Sequence, residues 1–250
     1  MEKDVYSEFL NLEKNHRWFV GRRKIFFTLL DQCFDEKGGM KILDVGCGPG
    51  EMVQPLSQYG KVFAVDFSLN ALEYCLERGY RFLINGDATR LPVKNGTFNV
   101  ISLFDTIEHI DNDTEVLKEC CRLLDDKGLI IITVPAYNFL YSNNDRAAHH
   151  KRRYTTSGIR RKVERVGFRV IKLTYINTWL FPIILCALFF IKLKEALFPV
   201  SNPDKTNISF PIPKPLNTML TTIFCSESYL LKRISFPFGH SLICIAEKKI

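Results

Sequence analysis

Ile42-Leu-Asp-Val-Gly-Cys-Gly-Pro-Gly50 is the stretch on which the reading of this chain turns. With Lys41 before it, Ile42 to Val45 is a short apolar run of strand type, and the glycines follow without a spacer. Glycine permits a tight turn from a strand into a helix and lets the backbone pass close to a ligand. The spacing is Gly-x-Gly-x-Gly, one residue short of the dinucleotide fingerprint Gly-x-Gly-x-x-Gly, which counts against a nicotinamide or flavin enzyme. Upstream, Gly38-Gly39 separates this run from a segment with Val5, Phe9 and Leu12, then Ile25, Phe26, Leu29 and Leu30, at helical spacing. That pattern predicts a helical lid of about two elements over residues 1–38.

Downstream the pattern alternates. Val62 to Asp66 reads as a strand and Ser68 to Arg78 as a helix capped by Ser68. Arg81 to Ile84 and Phe98 to Phe104 read as strands on either side of an Asn95-Gly96 turn. Residues 112–124 place Val116, Leu117, Cys120, Leu123 and Leu124 on one helical face, and Gly128 to Val134 is an unbroken apolar strand of the kind covered on both faces. A helix near 155–166 and a strand from Phe168 to Tyr175 follow. Strands alternating with helices predict an α/β fold with a parallel sheet and right-handed crossovers. This core is expected over 39–176. An apolar helical insertion containing a proline-rich loop (Pro199, Pro203, Pro211, Pro213, Pro215) is expected over 177–236, and a last strand within 237–250.

Two acids accompany the glycines. Asp66 ends the second strand, where a carboxylate can accept both hydroxyls of a ribose. Asp87, in Gly86-Asp-Ala-Thr, follows the third strand, where it can accept from an adenine amino group. Singly, such residues are more often caps and turn formers. In order, at the carboxyl ends of three successive strands, they mark the edge at which open α/β sheets bind ligands.

With these motifs the sequence resembles the class I S-adenosylmethionine-dependent methyltransferases of the small-molecule type. The matching residues are 42–50, Val65-Asp-Phe-Ser68, Gly86-Asp-Ala88, Phe98 to Ile110 and Leu129 to Pro135. The resemblance spans about residues 40–175 plus the last strand. It implies a Rossmann-like seven-stranded sheet, six strands parallel and the last antiparallel, with S-adenosyl-L-methionine as cofactor. The implied cofactor residues are Arg22, Asp44, Gly46, Cys47, Gly48, Gly50, Asp66, Phe67, Asp87, Ala88, Phe104 and Asp105. Arg22 would meet the cofactor carboxylate beneath the N-terminal lid, a role that a solvated basic surface rivals. Glu108 and His109 resemble a Glu-His of ubiquinone-biosynthesis-type O-methyltransferases. His109 is the candidate base for an acceptor hydroxyl, and bracing the next helix is its alternative role.

Charge bears on the acceptor. The chain has 250 residues and a net charge of +7, yet Arg146 to Lys172 alone holds ten Lys/Arg against the single acid Glu164. Arg160, Arg161, Lys162 and Arg165 read as the wet face of a helix. Glu108, His149, His150, Arg152, Arg153 and Tyr154 are the expected substrate contacts, because loops on the binding edge carry such contacts. A basic tract also fits nucleic acid or anionic lipid. Against RNA stand the Phe104-Asp-Thr-Ile107 ending of the fourth strand, the absence of an appended RNA-binding module, and only Tyr154 and Phe168 as interleaved aromatics.

Residues 173–191 are nineteen without a formal charge. Leu173 to Tyr175 belong to the sixth strand, which leaves a segment too short to span a bilayer. With the amphipathic segment 215–234, it forms either a hairpin roofing the substrate site or a pad dipping into a membrane interface.

The eight cysteines show no Cys-x-x-Cys pair and no Cys/His ligand spacing, so neither disulfides nor a metal site is expected, and a reducing cytoplasmic setting is. The N-terminal residues lack a secretory pattern. The expectation is a methyltransferase acting on a small-molecule or lipid-linked acceptor, at oxygen, in the cytoplasm or at the inner face of a membrane. RNA methylation and a catalytically silent cofactor-binding scaffold are the alternatives.

Overall fold

Seven strands form one sheet in the order β3-β2-β1-β4-β5-β7-β6. They are β1 (Met40–Val45), β2 (Gly60–Asp66), β3 (Leu83–Asn85), β4 (Phe98–Phe104), β5 (Leu124–Pro135), β6 (Phe168–Ile176) and β7 (Ser241–Lys248). β7 pairs antiparallel to both β5 and β6, and the other pairings are parallel. The sheet is therefore the expected one. This computed structural model describes residues 16–34, 37–197 and 213–249. The helix read around Val5, Phe9 and Leu12 lies outside the described residues, as do Pro199, Pro203 and Pro211.

The helices are α1 (Arg17–Leu30), α2 (Val53–Leu56), α3 (Leu69–Glu77), α4 (Asp113–Leu123), α5 (Asn143–Ala147), α6 (Thr156–Arg165), α7 (Phe181–Leu197) and α8 (Lys214–Leu231). Local chemistry explains their starts. The Ser68 hydroxyl accepts from the Ala71 amide at 3.4 Å, the Asn112 side chain from Glu115 and the Thr155 hydroxyl from Gly158. Pro215 sits in the first turn of α8, where its missing N–H costs nothing. The short helices α2 and α5 carry too little periodicity to be read from sequence.

From Leu129 to Pro135 every residue of β5 is buried, as is Ser241 to Ala246 of β7, so helices and loops cover both faces of the sheet centre. α1 lies along α8. An ideal Cβ at Gly21 would fall 2.2 Å from the Phe224 ring, so only glycine permits this crossing. Trp18 stacks on Phe224 with ring centroids 5.9 Å apart. Glu227 of α8 is fully buried and accepts from the backbone amides of Asn177 (2.8 Å) and Trp179 (2.9 Å), which ties the β6–α7 connection to α8. None of the described helices is long and apolar enough to cross a membrane.

Candidate active site

The strand order reverses between β1 and β4, and there a cavity of about 490 Å³ opens at the carboxyl ends of the strands. Asp44, Gly46, Cys47 and Gly48 enter it from the β1 loop, and Phe104, Asp105, Glu108 and His109 from the end of β4. Asp145, His150 and Arg153 come from the segment after β5. Trp18, Phe19 and Arg22 of α1 line it with Leu180, Ile183, Ile184 and Leu188 around α7 and with Leu220 and Phe224 of α8. One side is thus polar and the other a continuous apolar ceiling.

The three glycines differ in what a side chain would meet. Gly46 and Gly50 have φ of +71° and +82°, and a Cβ there would strike Thr106 Cγ2 at 2.4 Å and Tyr80 Cε2 at 2.7 Å. Gly48, at φ +53°, faces open space, with nothing within 4 Å of a built Cβ. Its amide donates to Asp66 Oδ2 at 2.9 Å, and Asp66 Oδ1 accepts from Ser68 N at 2.8 Å. The end of β2 is thereby clamped onto the glycine loop, with a carboxylate at its rim. Asp44 is fully buried beneath the loop and accepts from Ser102 Oγ at 2.7 Å. Burial, chiefly, with the charges of Asp66 and Glu51, pushes its carboxyl up to about 7.

Asp105 holds a left-handed backbone (φ 49°), uncommon outside glycine and found where function constrains the chain. It forms an ion pair with Arg22, whose guanidinium lies over the rings of Trp18 (5.2 Å) and Phe26 (5.5 Å). Glu108 is wholly buried, and both its carboxylate oxygens lack a hydrogen-bond partner. Burial first, then the charge of Asp105, drives its carboxyl well above the ordinary range; Arg22 and Arg153 offset this only in part. Burial and the neighbouring His150 lower His109 to about 4, so its ring is a neutral imidazole. The two rings meet edge to face with centroids 4.8 Å apart. Asp145 organises what surrounds them. Its oxygens contact His150 Nδ1 at 2.9 Å and accept from Arg153 Nε at 2.8 Å and Arg153 Nη2 at 2.9 Å. Desolvation opposes its charge, but His150 and Arg153 hold it below the usual carboxylate range.

Several expected site residues sit elsewhere. His149 is exposed and outside the cavity. Arg152 pairs with Asp113 at 3.3 Å and donates to the Asp111 carbonyl. Tyr154 is buried and donates to Asp113 Oδ2 at 2.7 Å, bracing α4. Arg152 and Tyr154 thus have an acid distant in sequence folded against them. Arg153 lines the cavity, but Asp145 occupies its guanidinium. Gly50 serves packing, and Asp66, Phe67, Asp87 and Ala88 lie beyond the cavity along the same sheet edge. There Phe67 is 81% exposed, and the Asp87 carboxylate accepts from the Thr89 amide and hydroxyl. Asp145 was not singled out by sequence, although Ser142-Asn-Asn-Asp145 is a capping-box signature.

Fold and loop together are those of the class I S-adenosylmethionine-dependent methyltransferases, and the chain carries a methyltransferase domain. Residues 43–132 match the methyltransferase domain family. The chain is 30% identical over 160 residues to the demethylmenaquinone methyltransferase of Staphylococcus aureus strain MRSA252, covering 56% of this chain and 66% of that protein. It is 35% identical over 104 residues to the ubiquinone biosynthesis O-methyltransferase of Caulobacter sp. strain K31, covering 38% and 40%. It thus spans less than two thirds of the length of these curated relatives. In fold it is similar to the Haloferax volcanii putative methyltransferase solved with the Trm112 methyltransferase activator. There the TM-score is 0.63 at 14% identity over 99% of this chain and 95% of that one.

The family's cofactor is S-adenosylmethionine, and the residues present fit it. Gly48 leaves a space that a Cβ would fill, with the Asp66 carboxylate beside it.

Proposed function

We propose that this chain methylates an oxygen of a small, apolar, lipid-like acceptor held between the Glu108-His109-His150 wall and the α7–α8 ceiling. The observation that carries the reading is the make-up of the cavity. Its ceiling is aliphatic and aromatic (Leu180, Ile184, Leu188, Leu220, Phe224), while Glu108, His109, Asp145 and His150 line it from the ends of β4 and the segment after β5. Relatives named for demethylmenaquinone and ubiquinone biosynthesis support an acceptor of quinone-like chemistry. An RNA acceptor is disfavoured, since Arg152, Arg153 and Lys162 of the basic tract are engaged by Asp113 and Asp145.

When bound, S-adenosylmethionine supplies a methyl group that is already activated. The chain's own contribution is alignment and exclusion of water. Asp66, steadied by the Gly48 amide, would hold the nucleoside end, and Arg22 and Asp105 would border the methionine end. His109, neutral at physiological pH, is placed to accept the proton that an acceptor hydroxyl releases. Ile183 both lines the cavity and stands 64% exposed, so α7 joins the site to the outer surface. With Phe189 and Phe190 exposed on the same helix, it would lie on a membrane interface from which a lipid-like acceptor enters.

The test is incubation with methyl-labelled S-adenosylmethionine and cell extract, followed by phase partition. Label in the organic phase is the expected result. Label confined to the aqueous phase or to RNA overturns the acceptor assignment.

A further inference from the structure

We propose that Asn177 and His240 form a hydrogen-bonding subsite that holds a second oxygen of the acceptor, apart from the oxygen that is methylated. This role rests on the acceptor class proposed above. Sequence gave no hint of it, because sixty-three residues separate the two side chains and neither belongs to a motif.

Three observations point to this pair. First, among the described residues only four buried side-chain oxygen or nitrogen atoms lack a hydrogen-bond partner. They are both Glu108 carboxylate oxygens, Asn177 Oδ1 and His240 Nδ1, and all three residues line the same cavity. A stranded buried polar atom is costly, so a chain that satisfies its interior elsewhere keeps such atoms for a group it does not itself carry. Glu108 belongs to the wall beside His109, whereas Asn177 and His240 take no part in the proposed methyl transfer. Second, the backbone sets the two residues side by side. β6 and β7 pair as far as Ile176 and Ser241, and the His240 amide donates to the Ile176 carbonyl at 3.0 Å. The His240 carbonyl accepts from the Ala136 amide, and the Asn177 amide donates to Glu227 Oε2 at 2.8 Å. Both main chains are therefore tied down. The last torsion of an amide or an imidazole is soft, so a small rotation presents each free atom to the cavity. Third, the pair carries no charge. Burial first, and then the charge of Arg153, lower His240 to about 4 against the pull of Asp145 and Asp105, so its ring is neutral.

An amide and a neutral imidazole each offer a donor and an acceptor, and a hydroxyl, which is also both, satisfies the two together. A carboxylate or phosphate only accepts, and would leave Asn177 Oδ1 stranded beside a new charge. β5 lies between β4 and β7 in the sheet, which sets the end of β4 about 10 Å from the start of β7. An acceptor ring with oxygens at opposite ends, each hydrogen-bonded at about 2.8 Å, spans a similar length. The reacting oxygen then lies by His109 and the second oxygen by Asn177 and His240.

The experiment is calorimetry on the full chain with S-adenosylhomocysteine bound. It compares 2-hexyl-1,4-dihydroxybenzene, kept under argon, with 3-hexylphenol, which lacks one of the two hydroxyls. Wild type should bind the diol about tenfold more tightly, the worth of one or two net hydrogen bonds. His240→Phe and Asn177→Gly should each cut that ratio by roughly threefold or more, with S-adenosylhomocysteine affinity unchanged. Glycine keeps the positive φ of 59° at position 177. Phenylalanine keeps the ring that meets Trp18 edge to face and removes the unpartnered nitrogen, so His240→Phe should melt no lower than wild type. A His240→Phe chain that melts clearly lower overturns the subsite, since the nitrogen then serves the fold. A ratio that survives both substitutions overturns it as well. So does a wild-type ratio near one with both probes bound, which leaves the acceptor class standing. Failure of wild type to bind either probe removes the acceptor class and the subsite together.

Discussion

Gly48→Ala separates a glycine kept for a ligand from one kept for packing. The backbone there has φ +53°, and an L residue enters that region at a cost of about 1–2 kcal/mol. The added methyl meets nothing within 4 Å, so no steric penalty is added to this. For a domain of this size, each kcal/mol lowers the melting temperature by roughly 2–4 °C, which puts the expected drop at roughly 2–8 °C. Gly50→Ala carries the same backbone cost at φ +82°. It also pushes a methyl to 2.7 Å from Tyr80 Cε2 and 3.0 Å from Cys75 Sγ, an overpacking worth about 1–3 kcal/mol more. Stability should therefore suffer more at Gly50. Cofactor affinity should suffer in the opposite order. At Gly48 the methyl intrudes into the space left for the ligand, and a similar 1–3 kcal/mol corresponds to roughly 5- to 150-fold weaker binding. Calorimetry with S-adenosylhomocysteine and scanning fluorimetry on the same preparations measure both quantities. A Gly48→Ala chain that melts lower yet binds like wild type would refute the reasoning. So would a Gly50→Ala chain that is the weaker binder.

The other perturbations address the wall, the floor and the ceiling. His109→Ala should lower turnover with little change in cofactor affinity; equal losses in both would show that the ring only braces the turn. Asp44, held near 7 against an ordinary 3.8, keeps its proton in the folded chain while the unfolded chain releases it. Ligand-free wild type should therefore lose stability, relative to Asp44→Asn, as pH rises from about 4 to about 7, with no further change above that window; melting temperatures across this range check it. Glu227→Ala strips buried acceptors from the Asn177 and Trp179 amides, at about 1–3 kcal/mol for each stranded donor. Hydrogen exchange should rise first at residues 177–180, and protection unchanged there would contradict the tie. Phe189→Ser with Phe190→Ser, at positions 64% and 67% exposed, should reduce flotation with anionic vesicles while leaving the melting temperature in place. Undiminished flotation would remove the membrane pad.

What sequence reveals here follows from which forces act locally. Strand–helix alternation is written as periodicity, so all seven strands and the helices α3, α4 and α6 were legible, as was the glycine loop after β1. The acids at Asp66 and Asp87 were legible as positions on the sheet edge. Partnership was not legible. Arg152, Arg153 and Tyr154 read as contacts awaiting a substrate because sequence shows a run of charge and hides the acids folded against it. Asp111 and Asp113 lie some forty residues upstream, and Asp145 sits on α5, eight residues before Arg153. The role of His150 was invisible for the same reason, since its neighbours Glu108 and His109 come from the far side of β5.

The neutralised basic tract changes where acceptor selection resides. A loop offering free guanidiniums would select phosphorylated or polymeric anions by long-range attraction. Here Arg153 spends both its forks on Asp145, Arg152 and Lys162 converge on Asp113, and Lys151 meets Asp111, so the loop's charge is consumed in building the wall. Under the proposed function, discrimination falls to the ceiling, where α7 and α8 present aliphatic and aromatic side chains that reward apolar area and leave polar groups unsatisfied. The ceiling is held by two contacts: the Gly21–Phe224 crossing of α1 with α8, and the bonds that Glu227 of α8 accepts from the amides of Asn177 and Trp179 ahead of α7. Substitutions at either contact should therefore alter which acceptors are accepted before they alter cofactor binding, since neither touches the β1 loop.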